Sequence, residues 1–154
     1  MDFEVLDRHI ASFMHRWGTA ALKFSLAIIF IWFGILKPLG MSPAASLVLM
    51  TVDWMPGLTS EGWLSVIGWW EVLIGVTFLF RKTVRIAIAL LAVQMVGTLL
   101  PLIILPEVTF QSGGVPFLPT MEGQYIIKNL LIISAALVVG GTVRRDVRTE
   151  PVVT

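Results

Sequence analysis

One acid inside an apolar run sets the chemical question in this chain. Glu71 stands near the centre of residues 62–80, GWLSVIGWWEVLIGVTFLF, where Ser65 and Thr77 are the other polar side chains. Nineteen residues at a helical rise of about 1.5 Å match the roughly 30 Å hydrocarbon core of a bilayer. A carboxylate at the midplane costs at least about 2.5 kcal/mol by insertion scales, so something must neutralise it. Two lysines compete for that role. Lys128 lies roughly 9 Å inside the outer end of the last apolar run, by helical rise, and can extend up to the headgroups or down towards Glu71. Lys37 closes the first apolar run at its outer end. Gln94 falls at the midplane of a third run. The sharpest expectation is a buried Glu71–Lys128 pair, with Gln94 and either Gln124 or Tyr125 completing the hydrogen bonds beneath an outer opening.

Three kinds of chemistry fit those residues. A buried ion pair fixes helix register without reacting. An apolar cavity with a few fixed polar groups suits a quinone headgroup or another small lipophilic molecule. Trp32, Trp69, Trp70 and Tyr125 offer flat walls for such a ligand, and Gly34, Gly68, Gly75 and Gly97 allow close approach. The third is proton or ion passage, for which one acid and one lysine make a short relay. Each aromatic also has a plainer reading. Trp54, Trp63 and Tyr125 stand where interface anchors belong, and Trp69 and Trp70 suit packing or lipid contact.

Composition narrows the classes. The chain has 154 residues, 56% hydrophobic and 14% charged, with mean hydropathy +0.88, against about 25% charge in soluble domains. The net charge of +1 gives no basic field for nucleic acid. Cysteine is absent, which removes disulfides, CxxC redox chemistry and thiolate metal sites. His9 and His15 both precede the first long apolar run and are not spaced for a shared metal. A bis-histidine haem within the membrane is excluded for the same reason. Gly113-Gly114 is a loop hinge, since no Lys-Ser/Thr helix start follows.

The elements that must position these groups read as an all-α integral membrane four-helix bundle. Residues 1–18 form an amphipathic interfacial helix, with Phe3, Leu6, Ile10, Phe13, Met14 and Trp17 on its apolar side. The acids Asp2 and Asp7 argue against a signal peptide. The membrane domain covers 19–141, with spans at about 19–36, 62–80, 86–105 and 122–141. A short outer helix at about 43–55 is expected between spans one and two, with Ser42 as N-cap and Pro43 at its first position. Pro101 should bend the outer end of the third span. Residues 142–154 form a polar cytoplasmic tail.

Charge placement orients the bundle. Arg8, Arg16, Lys23, Arg81, Lys82, Arg85, Arg144, Arg145 and Arg148 fall on one side, while Asp53, Glu61, Glu107 and Glu122 collect on the other. The positive-inside rule then places both termini in the cytoplasm.

Three motifs carry a family resemblance. Phe30-Ile-Trp-Phe-Gly-Ile-Leu-Lys37, Trp70-Glu71-Val-Leu-Ile-Gly75 leading to Phe80-Arg81, and Glu122-Gly-Gln-Tyr-Ile-Ile-Lys128-Asn-Leu130 resemble the DoxX-like superfamily, and within it the YkgB/DUF417 branch. The resemblance spans about residues 20–142. It implies four helices, with Gly34 and Lys37 late in helix one, Glu71 and Gly75 in helix two and Lys128 early in helix four. The chain departs from the branch where no acid follows Lys37 and where Asn129 replaces an Asp. The resemblance implies a small bacterial inner-membrane subunit or partner of a membrane redox complex, with a quinone as its cofactor candidate and no covalently bound cofactor.

The expectation for function is therefore a membrane protein that is not catalytic by itself. It contacts lipids and either other membrane subunits or further copies of itself, and it does not bind nucleic acid. Its candidate ligand or pairing residues are Glu71, Lys128, Gln94, Lys37, Gln124, Tyr125, Trp70, Gly34 and Gly75. The alternatives are a homo-oligomeric transporter of protons or a small solute, and a purely structural subunit of a respiratory or photosynthetic complex.

Overall fold

The computed structural model describes residues 3–111 and 118–143. Gly113, Gly114 and Pro116 of the expected loop lie outside the described residues, as do the tail arginines Arg144, Arg145 and Arg148. The described residues are helical, apart from turns and one isolated bridge between Phe110 and Pro119. Four helical stretches are long and apolar enough to cross a membrane: Phe3–Leu36, Ser60–Leu79, Arg81–Ile104 and Met121–Thr142.

Helix α1 runs without a break from Phe3 to Leu36, where the sequence predicts an amphipathic piece and a separate span. Its interior lacks proline, and a single Gly18 costs only about 1 kcal/mol of helix propensity, too little to interrupt the ladder. The helix ends at a turn in which Met41 N–H donates to the Leu36 carbonyl (2.9 Å). Gly40 takes φ +70° there, a conformation that costs glycine little.

Helix α2 covers Ala45–Val52 and packs on α3. It begins two residues later than Pro43, and Ser42 contributes its carbonyl to the Ala45 N–H (3.1 Å) rather than a hydroxyl cap. Helix α3, Ser60–Leu79, is capped by the Thr59 hydroxyl, which accepts from Gly62 N–H (3.1 Å). A 3-10 turn at Arg81–Thr83 joins it to α4, Val84–Leu99. The Thr83 hydroxyl donates back to the Thr77 carbonyl (2.7 Å) and ties that turn to α3.

Pro101 ends α4's regular ladder, because proline has no N–H to donate. Two short helices follow, α5 (Pro101–Ile104) and α6 (Pro106–Thr109). Helix α7, Met121–Ile127, is capped by Thr120, whose hydroxyl accepts from Gly123 N–H (3.2 Å) and donates to the Val108 carbonyl (2.7 Å). The cap thereby fastens α7 to α6. Helix α8, Asn129–Val143, continues the same stretch after a turn at Lys128. Asn129 causes a local competition there, since its amide donates to the carbonyls of Tyr125 and Ile126 (both 3.1 Å).

The four long stretches close a ring in which α1 packs on α3 and α8, and α4 packs on α3 and α8. Leu26, Ala27 and Phe30 of α1 meet Ile74 and Phe78 of α3, Leu91 and Met95 of α4, and Ala136 and Val139 of α8 in one buried cluster. The tightest seam is α1 against α3. A methyl added at Gly75 would lie 2.7 Å from the Ala27 carbonyl oxygen, and one at Gly34 would lie 2.8 Å from the Gly68 carbonyl oxygen. Ala27 and Gly34 are a heptad apart, and so are Gly68 and Gly75. Small residues at that interval let the two antiparallel backbones touch.

Candidate functional site

The glycine seam decides where the central charges go. On α3, Glu71 sits between Gly68 and Gly75, so its backbone is drawn against α1. A methyl at Gly34 would come within 2.9 Å of the Glu71 Cβ. Lys37 leaves α1 one turn beyond Gly34, and its ammonium meets Glu71 Oε2 in an ion pair. The two side chains are only 7% and 13% exposed. The ammonium also approaches the Phe33 carbonyl at 3.5 Å. From α4, Gln94 Nε2 donates to the other carboxylate oxygen, Oε1, at 2.9 Å. Three helices thus converge on one carboxylate, which has a charged partner and an amide donor.

This arrangement corrects the pairing expected from depth. Glu71 is paired with Lys37 and not with Lys128. Lys128 is exposed at the turn between α7 and α8, with Nζ 5.3 Å from the centre of the Tyr125 ring. Gln124 and Tyr125 are exposed beside it and do not join Glu71. Of the expected residues, Glu71, Lys37, Gln94, Gly34 and Gly75 come together. Gly68, whose added methyl would lie 2.7 Å from the Gly34 carbonyl oxygen, belongs with them. The seven-residue spacings Ala27–Gly34 and Gly68–Gly75 are the signal in the sequence that would have pointed to Lys37.

Trp70 lies partly buried against the apolar cluster. Its indole Nε1, like that of Trp63, is buried with no hydrogen-bond partner. A buried indole N–H of this kind is a donor waiting for an acceptor. Trp32 and Trp69 are exposed, with Trp32 stacked on Phe33 at 6.3 Å between ring centres. They stand on outward surfaces rather than around the carboxylate.

Two of the open depressions formed by described residues lie away from Lys37, Glu71 and Gln94. One, of about 440 Å³, lies among Leu49, Met50, Asp53, Ser60, Glu61 and Leu105. Ser60 Oγ donates to Asp53 Oδ1 across it (3.2 Å). The other lies at the start of α1, among Phe3, Glu4, Asp7 and Arg8. No group of three or more His, Cys, Asp or Glu side chains among the described residues could hold a metal.

The arrangement can hold helices in register, and it can present an ammonium and an amide to a polar atom that enters the bundle. It contains no side chain that carries electrons. No family model, curated protein or solved structure matches the chain.

Proposed function

We propose that this chain is a DoxX-like integral membrane subunit that works beside other chains of a redox complex in a bacterial inner membrane. The observation that carries the reading is the Lys37–Glu71–Gln94 centre. Its two charges and one amide come from three helical segments and satisfy one another. A centre of that kind stabilises one packing of the bundle, because breaking it strands a charge in low dielectric. It does not itself transfer electrons, and the chain has neither cysteine nor a histidine in its apolar runs. Electron transfer then belongs to a partner chain or to a bound lipophilic cofactor. The motifs around Gly34, Lys37, Glu71 and Gly75 supply the redox setting, through the resemblance they carry.

A quinone-type ligand is the second reading, and Trp70 favours it. Its unpartnered indole N–H is one residue from Glu71 on α3. A ligand carbonyl drawn between the helices would satisfy that donor, and the Lys37 ammonium has a further proton to offer.

Gentle detergent extraction from native membranes, followed by mass spectrometry of proteins and extractable small molecules, tests both. The expected result is stable recovery with larger redox subunits. One quinone per chain, lost in Trp70→Phe while the fold is kept, would make the second reading the principal one. A ligand-free homo-oligomer whose proton flux in liposomes disappears in Glu71→Gln would replace both with transport.

A further inference from the structure

The face of α1 that seats α3 does not stop where α3 stops. Ala27, Ile31 and Gly34 form that face against Gly75 and Gly68. Their spacing of four and three residues continues unbroken towards the N-terminus through Phe24 and Ala20. It then reaches Trp17, Phe13, Ile10, Leu6 and Phe3. An apolar repeat that averages 3.5 residues is the seam of a left-handed coiled coil. Because α3 runs antiparallel and Gly75 meets Ala27, the last α3 residue, Leu79, falls opposite Lys23. Residues 3–18 of α1 are all exposed. Trp17, Phe13, Ile10 and Leu6 are 53%, 66%, 49% and 43% exposed. About 24 Å of helix therefore carries a coiled-coil seam with no helix opposite it among the described residues.

Charge along one edge of the seam says what would fit. Lys37 stands on that edge and is met by the acid Glu71 of α3. Two and three heptads earlier the same edge carries Lys23 and Arg16, and His9 follows a heptad before those. Arg8 pairs with Glu4 and Lys37 with Glu71, whereas neither Arg16 nor Lys23 forms an ion pair with a described residue. The Arg16 guanidinium lies over the Trp17 ring, 5.9 Å from its centre.

We infer that the N-terminal half of α1 is a docking site for a helix of a different protein. That helix is apolar along one side and carries carboxylates facing the Arg16–Lys23 edge, and it takes up the seam where α3 leaves it. A second copy of this chain fits poorly. Copies inserted the same way run α1 in parallel, and the flanking residues that then meet are Arg16 with Ala21 and His9 with Met14, neither of opposite charge. A bilayer surface would take the stripe only after a bend, and α1 is continuous through Trp17–Ala20. The inference uses α1 and α3 alone and is independent of the redox reading.

The chain has no cysteine, so single nitroxide labels at Ile10→Cys, on the stripe, and Ser12→Cys, on the far side, report on this helix cleanly. The full chain is placed in phosphatidylcholine–phosphatidylglycerol vesicles. A designed four-heptad peptide is added, with leucine along its seam and glutamate at its flanks, alongside a twin with lysine flanks. The expected result is an Ile10 label open to a water-soluble nickel chelate before addition. The acidic peptide then shields it, leaves the Ser12 label unchanged and binds at least tenfold more tightly than its lysine twin. Ile10→Asp, read from a label at Phe13→Cys, abolishes that binding. An Ile10 label already shielded from nickel and open to oxygen would overturn the inference in favour of a membrane-surface helix. Dipolar broadening between chains would overturn it in favour of a second copy. Equal binding of the two peptides, or none, would remove the partner helix altogether.

Discussion

At the scale of single residues the bundle depends on one carboxylate with two protein partners. Lys37→Ala leaves Glu71 without its cation in a nearly closed site, and loss of one partner of a buried pair costs about 3–5 kcal/mol. The double change Lys37→Met/Glu71→Gln removes both charges and keeps similar volumes, so its unfolding temperature should lie closer to that of the unchanged chain than the temperature of Lys37→Ala does. Lys128→Ala, at an exposed turn, should change stability by no more than about 0.5 kcal/mol. Thermal unfolding in one detergent orders the four proteins. A Lys128→Ala loss as large as that of Lys37→Ala would break the assignment. Gln94→Leu tests the remaining donor, and its expected cost is about 1.5–3 kcal/mol for a hydrogen bond to a charged group. The acid itself was legible in the sequence, because a charge in an apolar run demands a partner. Its partner was not, because depth alone left Lys37 and Lys128 as rivals. Rotation of α3 about its axis separates them, and the glycines set that rotation.

At the scale of helices, contact between α1 and α3 is set by what those two helices lack. Gly75→Ala places a methyl 2.7 Å from the Ala27 carbonyl oxygen, and a rigid backbone cannot yield as a side chain would. Separating the helices should cost about 1–3 kcal/mol, as overpacking does, and should weaken the Lys37–Glu71 contact with it. Gly97→Ala is the matched control. Nothing lies within 4 Å of a methyl there, and helix propensity favours alanine by about 1 kcal/mol, so the variant should be as stable as the unchanged chain or more so. Unfolding in a graded detergent mixture would read the difference, and equal behaviour of the two would mean that α1 and α3 do not pack through Gly75. The four apolar stretches were legible because length and hydropathy define them. Two details were not. The continuity of α1 through Gly18 depends on the absence of any residue strong enough to stop a helix. The turn at Lys128 comes from the amide of Asn129, a local competition that hydropathy does not register.

At the scale of the whole molecule, four membrane-length helices leave the question of which end faces which compartment, and the charges answer it physically. Arg8 and Arg16 precede α1's apolar half, Arg81 and Lys82 lie in the α3–α4 turn and Arg85 in the first turn of α4, whereas Asp53, Glu61, Glu107 and Glu122 lie around α2, α6 and the first turns of α3 and α7. Moving the basic set across a bilayer is the less favourable insertion, so the N-terminus and the α3–α4 turn should share the cytoplasmic side. The absence of cysteine makes this directly measurable. Single cysteines at Ser12 and Lys82 should resist a membrane-impermeant maleimide in intact cells and react once the membrane is opened. Single cysteines at Ser42 and Gln111 should react in intact cells. Labelling of Ser42→Cys and Lys82→Cys from the same side would mean that α3 does not cross, and Glu71 would then no longer be held at membrane depth. The predicted alternation places the Lys37–Glu71–Gln94 centre between the two aqueous phases, where an ion pair lost to mutation has no water to replace it. That same alternation decides which compartment must supply a helix for the exposed half of α1.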